Sequence, residues 1–476
     1  MTAPATVRSA TRRYVVLLAL HWFPVGLTLP VMVLLMQSRG LSLAEVGLLF
    51  GVYGALGVCL ELPTGGLADV VGRRPVLLAA VALHALACGV FVVADGFGDF
   101  LAAFAAKGVG RALYSGPLQA WYVDAVHALD PGADLAPGLS RGAAADAGSL
   151  AVAAAVGGAL PALLGGSLAA PFAVAAGLDL LFAVAVLRLV GEVRPPREGS
   201  LRAALADGAR ALPRTVAGAV RLSVTDPPLR LVLLLAAVAG SGLTVFELLG
   251  PVRFAELAGS PERGAAVFGT VSALGFGAAA VGALAAPALR RAVRGSTRVA
   301  CALLAVVAAG GVAGFAGAAG AVAAGGAVVV YYAAHAGHWP LMSTVLHSRV
   351  RSAQRATAVS AASLAVALGG VAASLGLPLL ARATSTQAAA AAVAVLFLLS
   401  ALLCLRLPEP TAGSADQEAL LDEPLDDGQH LPGGLGVGEA GTSGQHAQQL
   451  AEPPGAVAGG QQRGAVGVDP AGPPQS

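Results

Sequence analysis

The stretch ELPTGGLADVVGRRPVLL, residues 61–78, decides how this chain is read. Gly65, Leu67, Asp69, Gly72, Arg73 and Arg74 stand there in a short polar loop between two apolar runs, residues 44–63 and 75–94. Gly65 and Gly72 permit tight turns and close helix approach. Asp69 stands ahead of the next helix, whose N-terminal dipole favours a negative charge. Arg73 and Arg74 are placed to pair with acids on neighbouring helix ends. We read the loop as a charge latch between helices that slide past each other. The plainer alternative is a topogenic loop whose arginines only hold orientation.

Outward from the loop, the apolar runs recur along the chain. Hydrophobic residues make up 56% and charged residues 12% of its 476 positions, against about 25% charged in soluble domains. Residues 14–36 contain one His and no acid or base, and about 20 such residues cross the hydrocarbon of a bilayer. That run exceeds the roughly 7–15 residues of a signal-peptide core and reads as a permanent first span. Twelve spans are expected, at 14–36, 44–63, 75–94, 99–122, 140–165, 169–190, 229–250, 264–289, 298–317, 319–342, 357–381 and 387–406. With the N-terminus inside, the inner segments hold 22 arginines and the outer loops four, Arg39, Arg253, Arg263 and Arg382. The bias of basic residues toward inner loops therefore puts both termini in the cytoplasm.

The expected fold is an all-α integral membrane protein of two six-helix halves, residues 14–190 and 229–406, after a cytoplasmic segment, 1–13. Residues 191–228 form a cytoplasmic central loop. Within it SLRAALADGARALPRTVAGAVRL, residues 200–222, repeats apolar positions at helical spacing behind Ser200 as N-cap. A surface helix interrupted at Pro213 is expected, the alternative being a solvated linker. The tail, 407–476, is rich in Pro, Gly and acids, cannot bury a core, and is expected to be disordered. From Glu409 onward there are ten acids and one Arg, which leaves the body at +11 although the whole chain is +2. Cytoplasmic loops account for that basic balance without nucleic acid. Cys59, Cys88, Cys301 and Cys404 fall inside apolar runs and read as small buried hydrophobes, not as disulfides or metal ligands.

The order Gly65-x-Leu67-Ala68-Asp69-x-x-Gly72-Arg73-Arg74-x-x-Leu77 resembles the signature loop of the major facilitator superfamily, with Val70 where that family usually has a basic residue. The segment GALAAPALRRAVRG, residues 282–295, is a worn echo that keeps Arg290, Arg291 and Gly295 but no acid. Such duplication suits a fold of two related halves. YSGPLQAWYVDA, residues 114–125, and RATAVSAASLAVALGG, residues 355–370, are similar to segments of the drug-exporter-like, proton-antiporting branch. GGALPALLGG, residues 157–166, keeps Pro161, Gly165 and Gly166 of that branch's fifth-span motif at altered spacing, and a kink is expected there. Asp124, ending the fourth span, is expected to pair at a helix end.

The fourth span poses the chemical question, because Lys107, the only lysine, and Arg111 lie one turn apart in it. The resemblance places Phe104 where the family's coupling Arg stands, so that role passes to Lys107 or Arg111 only as a hypothesis. A cation near mid-membrane costs at least about 2.5 kcal/mol and rarely faces lipid. Asp146, Asp179 and Glu61 are candidate partners. Snorkelling to an interface is the alternative, better suited to Lys107 than to Arg111. In the second half Glu247 lies in the seventh span, and His335 and His338, in the tenth, form a pair able to relay protons or to bond across helices. His21 and His84 read as structural.

No nucleotide-binding loop of the G-x-x-x-x-G-K-[ST] type occurs, so ATP is not the direct driver. No set of nucleophile, base and oxyanion donors converges, so no enzyme is expected. The expectation is a secondary active transporter in a bacterial plasma membrane, working by alternating access as a monomer. Its partners are a small-molecule substrate, protons and the lipid bilayer, and it needs no cofactor or metal. Proton-coupled efflux of an amphipathic compound is favoured. The alternatives are proton-coupled uptake of an anionic metabolite, and a receptor or scaffold acting through its tail.

Overall fold

Helix ends follow the residues available to cap them. Ser42 and Glu45 close a capping box at the start of one long helix, with the Ser42 N–H donating to Glu45 Oε2 at 2.8 Å. Asp226, Ser260, Ser296 and Ser385 each accept a backbone N–H at the start of another, which satisfies donors that a helix start leaves open. In the computed structural model, residues 4–191, 200–350 and 352–409 are described, and all regular structure among them is helical. The expected tail lies outside these residues from position 410 onward.

The first half comprises α1 (Val7–Thr28), α2 (Met32–Ser38), α3 (Leu43–Gly65), α4 (Leu67–Val71), α5 (Arg73–Val93), α6 (Phe97–Tyr114), α7 (Pro117–His127), α8 (Ala136–Leu163) and α9 (Ala170–Leu189). The connecting helix α10 (Leu201–Thr225) leads to the second half. That half comprises α11 (Pro227–Thr244), a π-helical turn (Val245–Leu249), α12 (Gly250–Ala258), α13 (Pro261–Ala292), α14 (Thr297–Gly317), α15 (Ala321–His347), α16 (Ser352–Ala383) and α17 (Thr386–Cys404).

Among the described residues, ten stretches are long and apolar enough to cross a membrane. The two remaining expected spans fall on α6–α7 and α15. Asp99, Lys107 and Arg111 lie in the 18 residues of α6, and α15 carries two tyrosines and three histidines. Both therefore fall short as purely apolar segments. The fourth expected span is also broken where the sequence reading ran it straight. Gly116 takes φ 93°, and Pro117 starts α7, a position that needs no backbone N–H.

Three other expectations are corrected. α10 continues through Pro213; the ring is exposed, so the carbonyl that loses its donor can be solvated. Pro161 lies in the last turn of α8, which ends two residues later where Gly165 and Gly166 take positive φ; it accompanies a stop and not a mid-span kink. Cys59 is exposed, unlike the other three cysteines.

The two ends of the bundle differ. At the end holding both termini, each half has its own apolar core. One includes Leu77, Trp121 and Phe182, the other Leu229, Cys301 and Leu346. At the far end a single core joins the halves, with Phe100 and Phe172 in the same cluster as Phe246 and Phe315. Backbones of the two halves also touch there. A Cβ on Gly158 of α8 would lie 2.3 Å from the Ala265 carbonyl oxygen of α13, and one on Gly47 of α3 would lie 2.2 Å from that of Ser374 on α16. Glycine is required at such approaches. The molecule is thus closed at the far end and parted at the terminal end, where α10 packs against α3, α4 and α16.

Candidate substrate cavity

Between the halves lies a cavity of about 340 Å³, of the size that small-molecule sites occupy. Its walls are largely aromatic and aliphatic, and Val216 of α10 borders it. Five of the eight candidate pathway residues line it: Glu61, Lys107, Arg111, Glu247 and His335.

Local sequence explains how each is presented. Lys107 and Arg111 occupy consecutive turns of α6 and share one face. The Arg111 guanidinium stands 5.3 Å from the centre of the Tyr53 ring, a cation–π arrangement. Glu61 of α3 and Glu247 of the π turn share the cavity wall with both cations. Pro251 cannot donate to the Glu247 carbonyl, so α-type bonding fails there and the helix widens into the π turn. Lys107 Nζ lies 3.9 Å from Met32 Sδ, a weak acceptor. Glu61 Oε1 is 3.5 Å from Ser115 Oγ. His335 Nδ1 is 3.2 Å from the Tyr331 hydroxyl, and its Nε2 has no partner.

Three candidates lie elsewhere. Asp146 is buried in α8 beside Trp22, Tyr14 and Tyr114. Asp179 faces His84 within the first half. His338 turns to Cys404 of α17, with Nε2 3.6 Å from Sγ, so His335 and His338 do not line the cavity as a pair. Sequence reasoning missed Tyr53 and took His84 for an isolated residue. Tyr53, Gly57 and Glu61 recur every fourth position, a stripe that periodicity could have revealed. His84 and Asp179, 95 residues apart, left no comparable local signal.

The signature loop sits at the terminal end. Gly72 takes φ 98°, which a side chain would strain. Gly65 has an ordinary φ, and a Cβ added there would meet nothing within 4 Å, so this position does not need glycine for a close approach. Arg73 forms an ion pair with Asp124 of α7, both largely buried. Asp69 lies in the short helix α4.

Residues 14–374 match the family described as the Major Facilitator Superfamily. The chain belongs to the major facilitator superfamily. It is a multi-pass membrane transporter and not an enzyme. Among solved structures, the nucleoside transporter NupG is similar at TM-score 0.65 and 13% identity, over 84% of this chain and 98% of that one. The human organic anion transporter TETRAN is similar at TM-score 0.56 and 20% identity, over 84% and 99%. The peptide transporter POT in complex with sulfate is similar at TM-score 0.65 and 13% identity, over 84% and 94%. At these identities the likeness is one of fold. None of the curated proteins matches the sequence.

Proposed function

We propose that the chain is a proton-coupled secondary transporter that exports an amphipathic molecule bearing an anionic group. The observation that carries this is the joint presence on one cavity of two cations, Lys107 and Arg111, and two carboxylates, Glu61 and Glu247, drawn from both halves. Protonation of the carboxylates removes their charge from the cavity and leaves the two cations to an anionic group. Substrate and proton are thereby linked through shared partners. The apolar remainder of the wall suits the amphipathic body. Alternating access follows when the far end opens as the terminal end closes.

In this proposal all twelve expected spans cross a bacterial plasma membrane with both termini in the cytoplasm, and the cavity faces inward. The halves, residues 14–190 and 229–406, rock as units of a monomer, with the signature loop as the latch of the inner gate. Asp146 and His338 lie off the substrate path. The exporter-like segments around residues 114–125 and 355–370 support efflux. The two cavity cations also suit proton-coupled uptake of an anionic metabolite.

Whole-cell accumulation of fluorescent organic anions tests the direction. Export predicts lower accumulation in cells making the wild-type protein than in cells making Arg111→Ala. Higher accumulation would support uptake instead. Equal accumulation across anionic, zwitterionic and neutral dyes, with the protein present in the membrane, would contradict both.

A further inference from the structure

His84 of α5 and Asp179 of α9 meet inside the first half, with Nδ1 and Oδ2 2.7 Å apart. Both are buried. With Nδ1 turned to the carboxylate, the atom left over is Nε2, which is buried without a partner. The ring lines a side chamber of about 100 Å³, large enough for several water molecules. The chamber shares Trp22, Tyr53, Lys107 and Arg111 with the central cavity. The two cations therefore stand on the wall common to both spaces.

We propose that the Asp179–His84 pair is a proton-binding site, distinct from Glu61 and Glu247, that loads from the central cavity through the side chamber. Its part in transport rests on the proton coupling proposed above. In the neutral ring the Nδ1–H donates to Asp179, and the Nε2 lone pair accepts a proton delivered by chamber water. The resulting imidazolium keeps Asp179 as its counter-ion and carries a second N–H, on Nε2. An O–H bond of the protonated water breaks as the N–H bond forms, and release reverses both.

The charged and titratable groups around the ring are few. Asp179 comes from α9, Lys107, Arg111 and Tyr114 from α6, and His21 and Tyr14 from α1. α7 adds the uncharged Leu118 and Gln119 to the chamber wall, and α4 adds nothing to it. Cys88, one turn along α5, has Sγ 3.9 Å from His84 Nδ1. Lys107 and Arg111 repel a proton entering between them until an anion or a carboxylate offsets their charge. Loading of His84 is thereby sensitive to what occupies the central cavity.

The ligand atoms of His84, Cys88 and Asp179 lie within 4.8 Å of one another, and a metal must be weighed. A metal-bound imidazole normally donates its other N–H to a nearby acceptor, and His84 Nε2 has none. The geometry favours a proton.

The test is nitrogen NMR of the full chain labelled with [15N]histidine in nanodiscs, titrated from about pH 5 to pH 10. The expected result is one reversibly titrating imidazole that disappears in His84→Gln. Its midpoint should move by about one pH unit or more in Asp179→Asn. Should His84→Gln not fold, Cys88→Ala identifies the same signal by the shift it causes. Absence of any titration at His84 across this range would overturn the proposal, and so would an unmoved midpoint in a folded Asp179→Asn. One zinc ion per chain, retained through purification and lost in Cys88→Ser, would overturn it in favour of a metal site. None of these readouts requires transport. A titrating His84 in a protein that moves no protons would uphold the site and defeat the coupling. A silent His84 in a proton-coupled protein would defeat the site alone.

Discussion

At the scale of single residues, Arg111 is held by an aromatic face on a cavity wall that also carries two carboxylates, whereas Arg73 has one buried ion-pair partner. The difference suits their proposed roles. A cation beside carboxylates but not locked in an ion pair is open to a ligand, and a singly paired one acts as a fixed tie. Removing one member of a buried pair leaves the other uncompensated and costs about 3–5 kcal/mol. Asp124→Ala should therefore lower the thermal unfolding midpoint sharply. The apolar double variant Arg73→Met with Asp124→Leu should recover most of the loss. An Asp124→Ala protein as stable as wild type would show that the pair is not a structural tie.

At the scale of elements, much was legible in the sequence because hydrophobic length and charge bias are local signals. The loop at residues 61–78 gave the family, and Lys107 with Arg111 marked the helix that lines the cavity. The breaks inside the fourth and seventh spans were less visible. They arise where Pro117 and Pro251 lack a backbone donor, the first behind Gly116 at φ 93°, in runs that hydrophobicity reads as continuous. Tertiary pairs such as His84 with Asp179 depend on how helices pack, and no periodicity encodes them.

One element was misjudged at its edge. The expected tail began at residue 407, yet Glu409 accepts the Thr297 N–H at 2.7 Å, bonds to the Ser296 hydroxyl and pairs with Arg298 at 3.4 Å. The second half lost the acid of its worn signature loop, and Glu409 supplies one to the start of α14. Burial pushes its carboxyl up, but the Ser296 hydroxyl, the Thr297 and Arg298 backbone and the Arg298 charge outweigh burial and hold it below the ordinary Glu value of 4.5. A carboxyl lowered on folding stabilises above its unfolded value and loses that contribution as pH falls through its folded one. Glu409→Gln should therefore lower the unfolding midpoint at pH 7. The gap from wild type in unfolding midpoint should narrow as the pH drops below 4.5. A gap constant with pH would show that the charge is not what matters.

At the scale of the whole molecule, the joined core at the far end and the divided cores at the terminal end would be one of the two states of the proposed alternating access. Close glycine contacts make the closed end tight, so a bulky side chain there should act as a wedge. Gly158→Leu is expected to disfavour this state by about 1–3 kcal/mol, the usual cost of overpacking. Electron-spin distance measurements between labels at Ser38 and Ser260 should then show a longer population. An unchanged distribution would mean that the far end is not a gate. Removing residues 410–476 should leave transport intact, and loss of all phenotype with that segment would point to a receptor or scaffold.

The central claim is that the cations and carboxylates of one cavity couple an anionic substrate to protons. The most direct test is dye-reported ΔpH in energised inside-out vesicles, challenged with a panel of amphipathic organic anions. Wild type, Arg111→Ala and Glu247→Gln are compared at equal protein content. The account predicts anion-evoked proton release in wild type and its loss in both variants. Proton release that persists undiminished in both would contradict it.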